Sequence, residues 1–409
     1  MNAAAVGAAA PSPSHALGTS RLLAGVGDGP VDLRRHRALH AAVAPWDRDA
    51  LAAAARTVGL LGRGGAAFPV ATKLASVVTG AETRVVVNGA EGEPASGKDR
   101  VLMSHAPHLV LDGALLVAGA LGTRHVSVAV EDARAATALV VARDERDDAA
   151  HVEILASGGG FVGGEVRALL AGLGGAPSRP PGRRVLPHVR GLDGAPTFAS
   201  NVETFAQLAV LAGLGPDAFA AVGAAREPGT ILLTLVGDVP RPGVVEVPTG
   251  LALDALVGTG PVLVGGYHGT WVADPRGLVV SRPDLRDAGV GLGAGVLARL
   301  PEDTCPLGEV QRVTRWLAEQ SAGQCGPCVL GLPAVAEDLA LLLQGEDVRE
   351  RLRRRAAAVV GRGACAHPDA AARLVGSALA VWTQEVQEHL AHGSCGRPVR
   401  GALPVGGAR

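Results

Sequence analysis

Strand-like and helix-like segments alternate in the first half of the chain, and this alternation restricts the fold more than any other sequence feature. Residues 84–89, 125–131 and 151–157 are rich in valine and other apolar residues, as expected of buried strands. Predicted helices over 109–121 and 132–145 separate these strands. The pattern predicts an α/β domain in which helices cover a parallel sheet.

The length of the chain predicts more than one domain, because 409 residues exceed what a single hydrophobic core usually organises. Short strands with one short helix begin near residue 230, and amphipathic helices follow residue 301. We predict a disordered leader at 1–44, an α/β domain at 45–225, a small mixed module at 226–300, a four-helix bundle at 301–395 and a tail at 396–409.

The composition excludes several classes of partner. Apolar residues make up 48% of the chain, charged residues 19%, and the formal net charge is -1, which is typical of a globular protein without a nucleic-acid partner. Five cysteines in so long a chain favour metal ligation in a reducing compartment, so we expect a cytoplasmic protein. The longest apolar stretch, 107–122, contains Asp112 and falls short of the ~20 residues of a membrane helix, which predicts no direct membrane insertion.

A glycine-rich loop precedes a helix predicted at 70–78. It contains Gly62, Arg63, Gly64 and Gly65, with Phe68 and Lys73 downstream. Bare backbone amides beside two cations are the combination that holds a phosphate at a helix N-terminus. Taken alone, such a loop is more often a simple turn than a phosphate site.

Two more loops follow predicted strands and contain acidic residues. The first is NGAEGEP, with Asn88, Glu91 and Glu93, and the second is GGGFVGGEV, with Gly164 and Glu165. The alternatives are a solvated turn for the first loop and a helix cap for Glu165. Because ligands bind at the carboxyl ends of strands in open α/β sheets, three such loops predict one large phosphorylated ligand, a nucleotide or a flavin.

The cysteines near the C-terminus have the spacing of a metal site. Cys325 and Cys328 form a CxxC pair, and Cys365 is a plausible third ligand from another helix connection. The alternatives are buried apolar cysteines, or a zinc site that includes His367. Spacing alone leaves iron-sulfur and zinc open.

Five motifs occur in a fixed order: GRGGAAFP with Lys73, NGAEGEP with KDR, GGEV, SNVET, and GQCGPC with a distant cysteine. Over about residues 50–390 this order resembles the flavin-bearing, NADH-oxidising subunit of respiratory complex I, whose relatives occur in formate dehydrogenases and bifurcating hydrogenases. The resemblance implies a Rossmann-like domain that binds FMN and a nicotinamide nucleotide, then a ubiquitin-like β-grasp (SLBB) domain, then a bundle holding a [4Fe-4S] cluster.

The resemblance also assigns residues. It places cofactor binding at Gly62, Arg63, Gly64, Gly65, Phe68, Lys73, Asn88, Glu91, Glu93, Gly164, Glu165, Asn201 and Thr204. It gives catalytic roles to Glu93 and Glu165, and cluster ligation to Cys325, Cys328 and Cys365.

Several positions depart from the family pattern. An acidic residue is replaced by Ala90, a tyrosine by Phe161, a second glutamate by Val166 and an asparagine by Ser200. A carboxylate at position 166 should bind a ribose hydroxyl and repel a 2′-phosphate. We therefore expect relaxed or NADP(H)-shifted selectivity, with Arg183 and Arg184 as candidate phosphate partners.

The cluster motif lacks one thiolate, because Ala322 stands where the family has cysteine. Three interpretations are open. Cys305 or Cys395 supplies the fourth ligand, the cluster is a [3Fe-4S] or has a non-cysteine ligand, or the cluster has been lost.

These observations predict an NAD(P)H oxidoreductase subunit that uses FMN and an iron-sulfur cluster (4Fe-4S or 3Fe-4S) to pass electrons to a ferredoxin-like protein in a small soluble assembly. The alternative is a non-catalytic scaffold that retains flavin or partner binding alone. The arginine-rich segment 348–358 is either a docking face for an acidic ferredoxin or a solvated helix face.

Overall fold

The structure is a computed structural model that describes residues 15–27, 29–181 and 186–406. Within these ranges the chain forms an α/β module, a smaller mixed module and a helical bundle, in the predicted order. Arg183 and Arg184, like residues 1–14, lie outside the described residues.

The predicted disordered leader is wrong from residue 15 onward. Strand β1 (His15–Ala16) pairs in parallel with the strand at Gly243–Pro248, and helix α1 spans Leu33–Leu39. Leu22 is fully buried, and its backbone N–H donates to Oε1 of Glu246 at 2.9 Å. The segment is ordered because it buries apolar side chains and supplies the donors that a buried carboxylate requires.

The α/β module confirms the predicted fold class. Its elements are α2 (Arg48–Thr57), α3 (Val70–Ser76), β2 (Arg84–Gly89), α4 (Lys98–His105), α5 (Pro107–Leu121), β3 (Val126–Val130), α6 (Ala133–Asp144), β4 (Glu153–Ala156), α7 (Val166–Leu173), β5 (Thr197–Asn201), α8 (Val202–Leu214) and α9 (Pro216–Ala220). The strands pair in parallel in the order β4-β3-β2-β5. Strands β2 and β3 are almost wholly buried because α5 and α8 pack against each other over the sheet, which explains their continuous apolar runs.

The second module is a mixed sheet. It contains β6 (Gly223–Ala224), β7 (Glu227–Pro228), β8 (Thr230–Gly237), β9 (Gly243–Pro248), α10 (Leu253–Val257), β10 (Val262–Val264), β11 (Thr270–Val272), α11 (Arg282–Asp287) and β12 (Val296–Arg299). The sheet order is β1-β9-β8-β12-β10-β11, with β8 antiparallel to β9 and parallel to β12. A hairpin whose first strand lies beside the module's last strand is the arrangement predicted for a β-grasp domain.

The third module is helical. It contains α12 (Pro306–Glu319), a π-helical turn (Pro327–Gly331), α13 (Leu332–Leu343), α14 (Arg349–Val359), α15 (His367–Val381) and α16 (Thr383–His392). The sequence predicts one long helix where α15 and α16 lie, but the chain breaks at Trp382 (φ -105°, ψ 50°). The indole of Trp382 packs edge-on against Trp271, 4.5 Å between ring centroids, so a contact with the second module accompanies the break.

Within the described ranges, no single helix has the length and apolar composition to cross a membrane. The helices α4 and α5 meet that criterion only when taken together, and they are bent by 93° relative to each other.

Candidate functional site

The candidate site lies at the carboxyl ends of β2 and β5. Strands β3 and β5 flank β2 on opposite sides, so the direction of the strand order reverses here. Such a reversal opens a crevice for a ligand in α/β sheets. Asn88, one residue before the end of β2, is the register partner of Asn201, which ends β5, and the loops predicted from sequence meet around them.

The first glycine loop is a tight turn with an open side. Gly62 N–H donates to Phe68 O at 2.9 Å, and Ala67 N–H donates to Gly64 O at 3.1 Å. A Cβ placed on Gly65 would meet nothing within 4 Å, and one on Gly64 would touch Cβ of Asn201 at 3.6 Å. The backbone is therefore exposed to a ligand here, and Phe68 is 49% exposed beside it.

The side chain of Arg63 does not face the ligand side of the loop, contrary to the prediction that it holds a phosphate. Its backbone N–H donates to Thr204 Oγ1 at 2.9 Å, but its guanidinium is fully buried and pairs with Glu227 of the second module. Although burial raises the pKa of Glu227, Arg63 and Arg282 hold it below its ordinary value. Arg63 thus joins two modules instead of holding a phosphate, and Thr204 anchors the loop.

Unlike Arg63, Lys73 has ammonium N–H groups that can still donate hydrogen bonds to a ligand. Its Nζ donates to Ala199 O at 3.0 Å, its one hydrogen bond among the described residues, and lies 5.9 Å from the Phe198 ring centroid. Burial lowers the pKa of Lys73 to about 8. A desolvated ammonium with free N–H groups suits an anionic ligand.

The second loop (residues 88–94) and the third loop (residues 158–166) are in direct contact. Asn88 Nδ2 donates to Gly164 O at 2.9 Å, and Ala90 N–H donates to Asn88 Oδ1 at 3.1 Å. A Cβ on Gly92 would lie 2.9 Å from Gly160 O, closer than side chains tolerate. Gly92 is therefore required for contact between the loops, and Asn88 fixes both.

Glu91 caps a helix. Its carboxylate accepts the backbone N–H groups of Asp99 and Arg100, each at 3.1 Å, at the start of α4, together with the Ser96 hydroxyl. This differs from the ligand contact and from the solvated turn considered above, because the orphan amides of α4 need an acceptor.

Glu93, expected to be catalytic, faces the second module. It accepts Tyr267 N–H at 2.7 Å and Ala95 N–H at 3.3 Å. Burial raises the pKa of Glu93 to about 7, against the lowering effect of these two hydrogen bonds.

This environment makes the stability of the protein depend on pH. The folded chain keeps the Glu93 proton up to about pH 7, whereas the unfolded chain releases it near its ordinary pKa of 4.5, so the free energy of unfolding falls as pH rises between these values. Glu93→Gln should remove this pH dependence, so its free energy of unfolding should fall by about 3 kcal/mol less than that of the parent between pH 4.5 and pH 8, even though its amide nitrogen cannot accept one of the two backbone N–H groups. Urea unfolding at both pH values measures it.

The matched control is Glu91→Gln, which weakens the α4 cap and should be destabilised at both pH values. If Glu93 instead acted on the nucleotide, Glu93→Gln would lose kcat/KM for the nucleotide, and its free energy of unfolding would change with pH as that of the parent does.

Glu165 is the N-cap of α7, the alternative that the sequence left open. It accepts Arg167 N–H and Ala168 N–H, both at 3.0 Å, and pairs with Nε of Arg167 at 2.8 Å. Arg167 also donates to Ala364 O at 3.1 Å, next to Cys365. Glu165 and Arg167 thus connect the third glycine loop to the cysteine loop.

A buried polar network closes the base of the crevice. Lys98 Nζ contacts Asp99 Oδ1 at 2.7 Å, Asn201 Oδ1 at 3.1 Å and Glu203 Oε2 at 3.2 Å. Asn201 Nδ2 donates to Asp99 Oδ2 at 2.6 Å, so both ends of this amide are engaged. Asn201 therefore positions α8 and the surrounding loops.

The predicted metal ligands come together at one cavity. Its lining includes Cys325, Cys328 and Cys365, with Ala322 where the family has its additional cysteine. Ala364 N–H donates to Cys325 Sγ at 3.4 Å, and Val162 of the third glycine loop completes one wall. Thiols gathered around one cavity fit an iron-sulfur cluster, and the cavity adjoins the flavin loops.

The proposed alternative ligands do not fit this cavity. Cys305 and Cys395 are absent from the described residues that line it, and they lie with His389 instead. His367 lines the cavity, but its Nε2 bonds to Leu317 O at 2.8 Å and its Nδ1 to His268 Nε2 at 3.0 Å. Because a carbonyl only accepts, Nε2 carries the proton and Nδ1 accepts from His268, so neither ring nitrogen is free.

The structure adds His268 and Trp316, which the sequence did not indicate, as neighbours of Phe161. Phe161 packs edge-on against His268, 4.5 Å between ring centroids, and against Trp316 at 5.3 Å. His268 belongs to the second module, and no local pattern marks it.

A Rossmann-like sheet with glycine loops at its switch point, a β-grasp module and a cysteine-bearing bundle define the class of flavin- and iron-sulfur-dependent dehydrogenase subunits. Residues 55–210 match the profile of the Nuo51 FMN-binding domain, and residues 309–389 match that of the NADH-ubiquinone oxidoreductase-F iron-sulfur binding region. The chain belongs to the family of NADH-quinone oxidoreductase F subunits, as the motifs predicted.

The similarity extends over most of the chain. The F subunit of the NADH-quinone oxidoreductase of Mycobacterium tuberculosis is 32% identical over 376 residues, which cover 82% of this chain and 84% of the relative. The F 2 subunit of the Rhizobium meliloti enzyme is 30% identical over 394 residues, covering 88% and 93%. Among solved structures, the NAD+-reducing [NiFe]-hydrogenase in its air-oxidized state superimposes with a TM-score of 0.80 at 28% identity, covering 92% of this chain and 68% of that one.

Proposed function

We propose that this chain is the NAD(P)H-oxidising electron-transfer subunit of a small assembly, and that it passes electrons to a ferredoxin-like partner. The observation that carries the proposal is the position of the cysteine cavity, whose wall includes Val162 of the third glycine loop. FMN, when bound, accepts electrons in pairs and releases them singly, which is the chemistry needed between a nicotinamide nucleotide and a cluster.

The chain's own residues would bind and orient these groups. The backbone at Gly64 and Gly65 offers space for the flavin, and the Lys73 ammonium offers charge for its phosphate. Cys325, Cys328 and Cys365 would hold the cluster. Asn88 positions both neighbouring loops, and Glu165 holds the third loop against the cluster loop through Arg167.

The nucleotide side of the site supports relaxed selectivity. Ala90 and Val166 replace acidic residues of the family, and both pack against one apolar cluster that includes Val86 and Leu169. Apolar groups at both positions lower the negative charge that would repel a 2′-phosphate. The proposal therefore includes both NADH and NADPH as donors.

The exposed surface beside the cysteine cavity supports an acidic partner. Val329 and Leu330 follow Cys328 directly and are 48% and 74% exposed. Arg353 and Arg354 of α14 are exposed, whereas Arg351 and Arg355 are engaged with Asp338 of the bundle at 2.8 and 2.7 Å. The turn that carries this apolar patch packs against α14, and exposed apolar and guanidinium groups on adjacent elements suit a small acidic one-electron carrier.

The function is tested by anaerobic reduction of a small acidic ferredoxin with NADH or NADPH. We expect both nucleotides to bleach the flavin and reduce the ferredoxin, with kcat/KM values within about a hundredfold of each other, or about 2.7 kcal/mol. Cys328→Ser should keep flavin bleaching but lose ferredoxin reduction, because it removes a cluster ligand. Ala322→Cys should keep both activities and slow the loss of iron in air.

Two results would contradict the proposal. One is a colourless protein without flavin, the expected state of a non-catalytic scaffold. The other is a cysteine cavity holding zinc without sulfide, with equal ferredoxin reduction by the parent and Cys328→Ser.

A further inference from the structure

A second group of metal-type ligands lies away from the flavin and cluster sites. Cys305 precedes α12, His389 lies on α16, and Cys395 follows α16. Their ligand atoms all lie within 4.8 Å of one another. Cys305 is 2% exposed and His389 6% exposed, while Cys395 is half-buried.

We propose that Cys305, His389 and Cys395 form a zinc site that fastens the C-terminal segment to the bundle. Two thiolates and one imidazole are ligands that zinc prefers, whereas calcium and magnesium require oxygen. A water molecule completes the tetrahedral coordination of zinc when the protein supplies three ligands.

The imidazole is already oriented for a metal. His389 Nδ1 lies 2.8 Å from Leu343 O, and a carbonyl accepts only, so Nδ1 carries the proton. Nε2 then presents its lone pair to Cys305 Sγ at 3.3 Å. A ligating histidine usually donates its other N–H to a carbonyl in this way.

Both sulfur atoms have polar partners that can stabilise thiolates once a metal is bound, although burial raises the pKa of the free Cys305 thiol. Cys305 is the N-cap of the 14-residue helix α12, and its Sγ accepts Gly308 N–H at 3.3 Å. The helix N-terminus places positive partial charge beside this sulfur. Arg397 hydrogen-bonds to the Cys395 thiol and also binds Glu385 at 2.9 Å, so a cation accompanies the second sulfur.

A metal here would hold a segment that contacts both the helical bundle and the second module. Downstream of Cys395, Pro398 O accepts Cys305 N–H at 2.8 Å, and Gly401 N–H donates to Glu309 at 2.6 Å. Pro404 O accepts the hydroxyl of Tyr267, whose backbone N–H binds Glu93. Zinc would therefore stabilise the packing of the C-terminal segment, and with it the hydrogen bonds that join this segment through Tyr267 to Glu93.

The test is elemental analysis of the full chain, purified anaerobically with its iron-sulfur cluster and exposed to zinc. We expect about one zinc in addition to iron in the parent, and at least about tenfold weaker zinc binding by Cys395→Ser in competition with a chelator, since the variant has lost one of three ligands. The matched variant Cys365→Ser should lose iron and keep this zinc, which separates the two sites.

A measurement on the parent protein alone tests the site even if the Cys395→Ser variant fails to fold. Zinc should slow alkylation of Cys305 and Cys395 by iodoacetamide at least about tenfold, and Co2+ in its place should give the visible absorption of tetrahedral thiolate coordination. The proposal is overturned if Cys395→Ser binds zinc as tightly as the parent, if zinc leaves alkylation unchanged, or if mass spectrometry of the reduced-purified protein finds Cys305 and Cys395 joined as a disulfide.

Discussion

Arg63→Ala is expected to destabilise the folded chain by about 3–5 kcal/mol, because removing one member of a buried ion pair leaves charge uncompensated. The Arg63 guanidinium is fully buried, pairs with Glu227, and lies 3.9 Å from Glu203. Arg282 alone would then face Glu227, at 3.0 Å. Urea unfolding followed by tryptophan fluorescence measures the change.

Arg226→Ala is the matched control. Arg226 also pairs with carboxylates, Asp284 and Asp287, but its side chain is 53% exposed. Its removal should leave the unfolding midpoint nearly unchanged, because water screens exposed pairs. Equal effects of the two substitutions would show that Arg63 does not stabilise the junction between the modules.

Gly64→Leu should abolish retention of flavin while leaving the fold intact. A Cβ at Gly64 meets only Cβ of Asn201, at ordinary van der Waals distance (3.6 Å), so the larger side chain is directed at the space proposed for the ligand. We expect flavin affinity to fall at least tenfold, or about 1.4 kcal/mol, as measured by absorbance after desalting and by titration with FMN.

Gly119→Leu is the control for this substitution, since Gly119 is an exposed helical glycine with nothing within 4 Å of its Cβ position. That variant should keep its flavin. Undiminished flavin in Gly64→Leu would place the cofactor away from the first glycine loop.

The sequence was sufficient to predict the features that are determined by residues close together in the chain. Strands β2 and β3 follow from runs of β-branched residues, and the grouping of Cys325 with Cys328 follows from a two-residue spacing. The family resemblance placed Cys365 beside them. The motifs that meet around Asn88 and Asn201 could be predicted because strand ends share one edge of a parallel sheet.

The direction of individual charged side chains could not be predicted in this way. Arg63 binds Glu227, 164 positions later, and Glu93 binds Tyr267, 174 positions later. The predicted leader is ordered by Glu246, which lies 225 positions after Arg21. A glycine loop with cations has the same local pattern whether those cations meet a phosphate or a neighbouring module, so only the tertiary structure distinguishes them.

The buried pairing of Arg63 also bears on the order in which the protein is made. A ribosome completes the parallel sheet at β5 before it has synthesised Glu227 or Tyr267. Until then Arg63 and Glu93 lack the partners that make their burial tolerable. The flavin-binding part of the nascent chain should therefore stay incompletely closed until the second module has emerged and docked. It should accept its cofactor only from that point on.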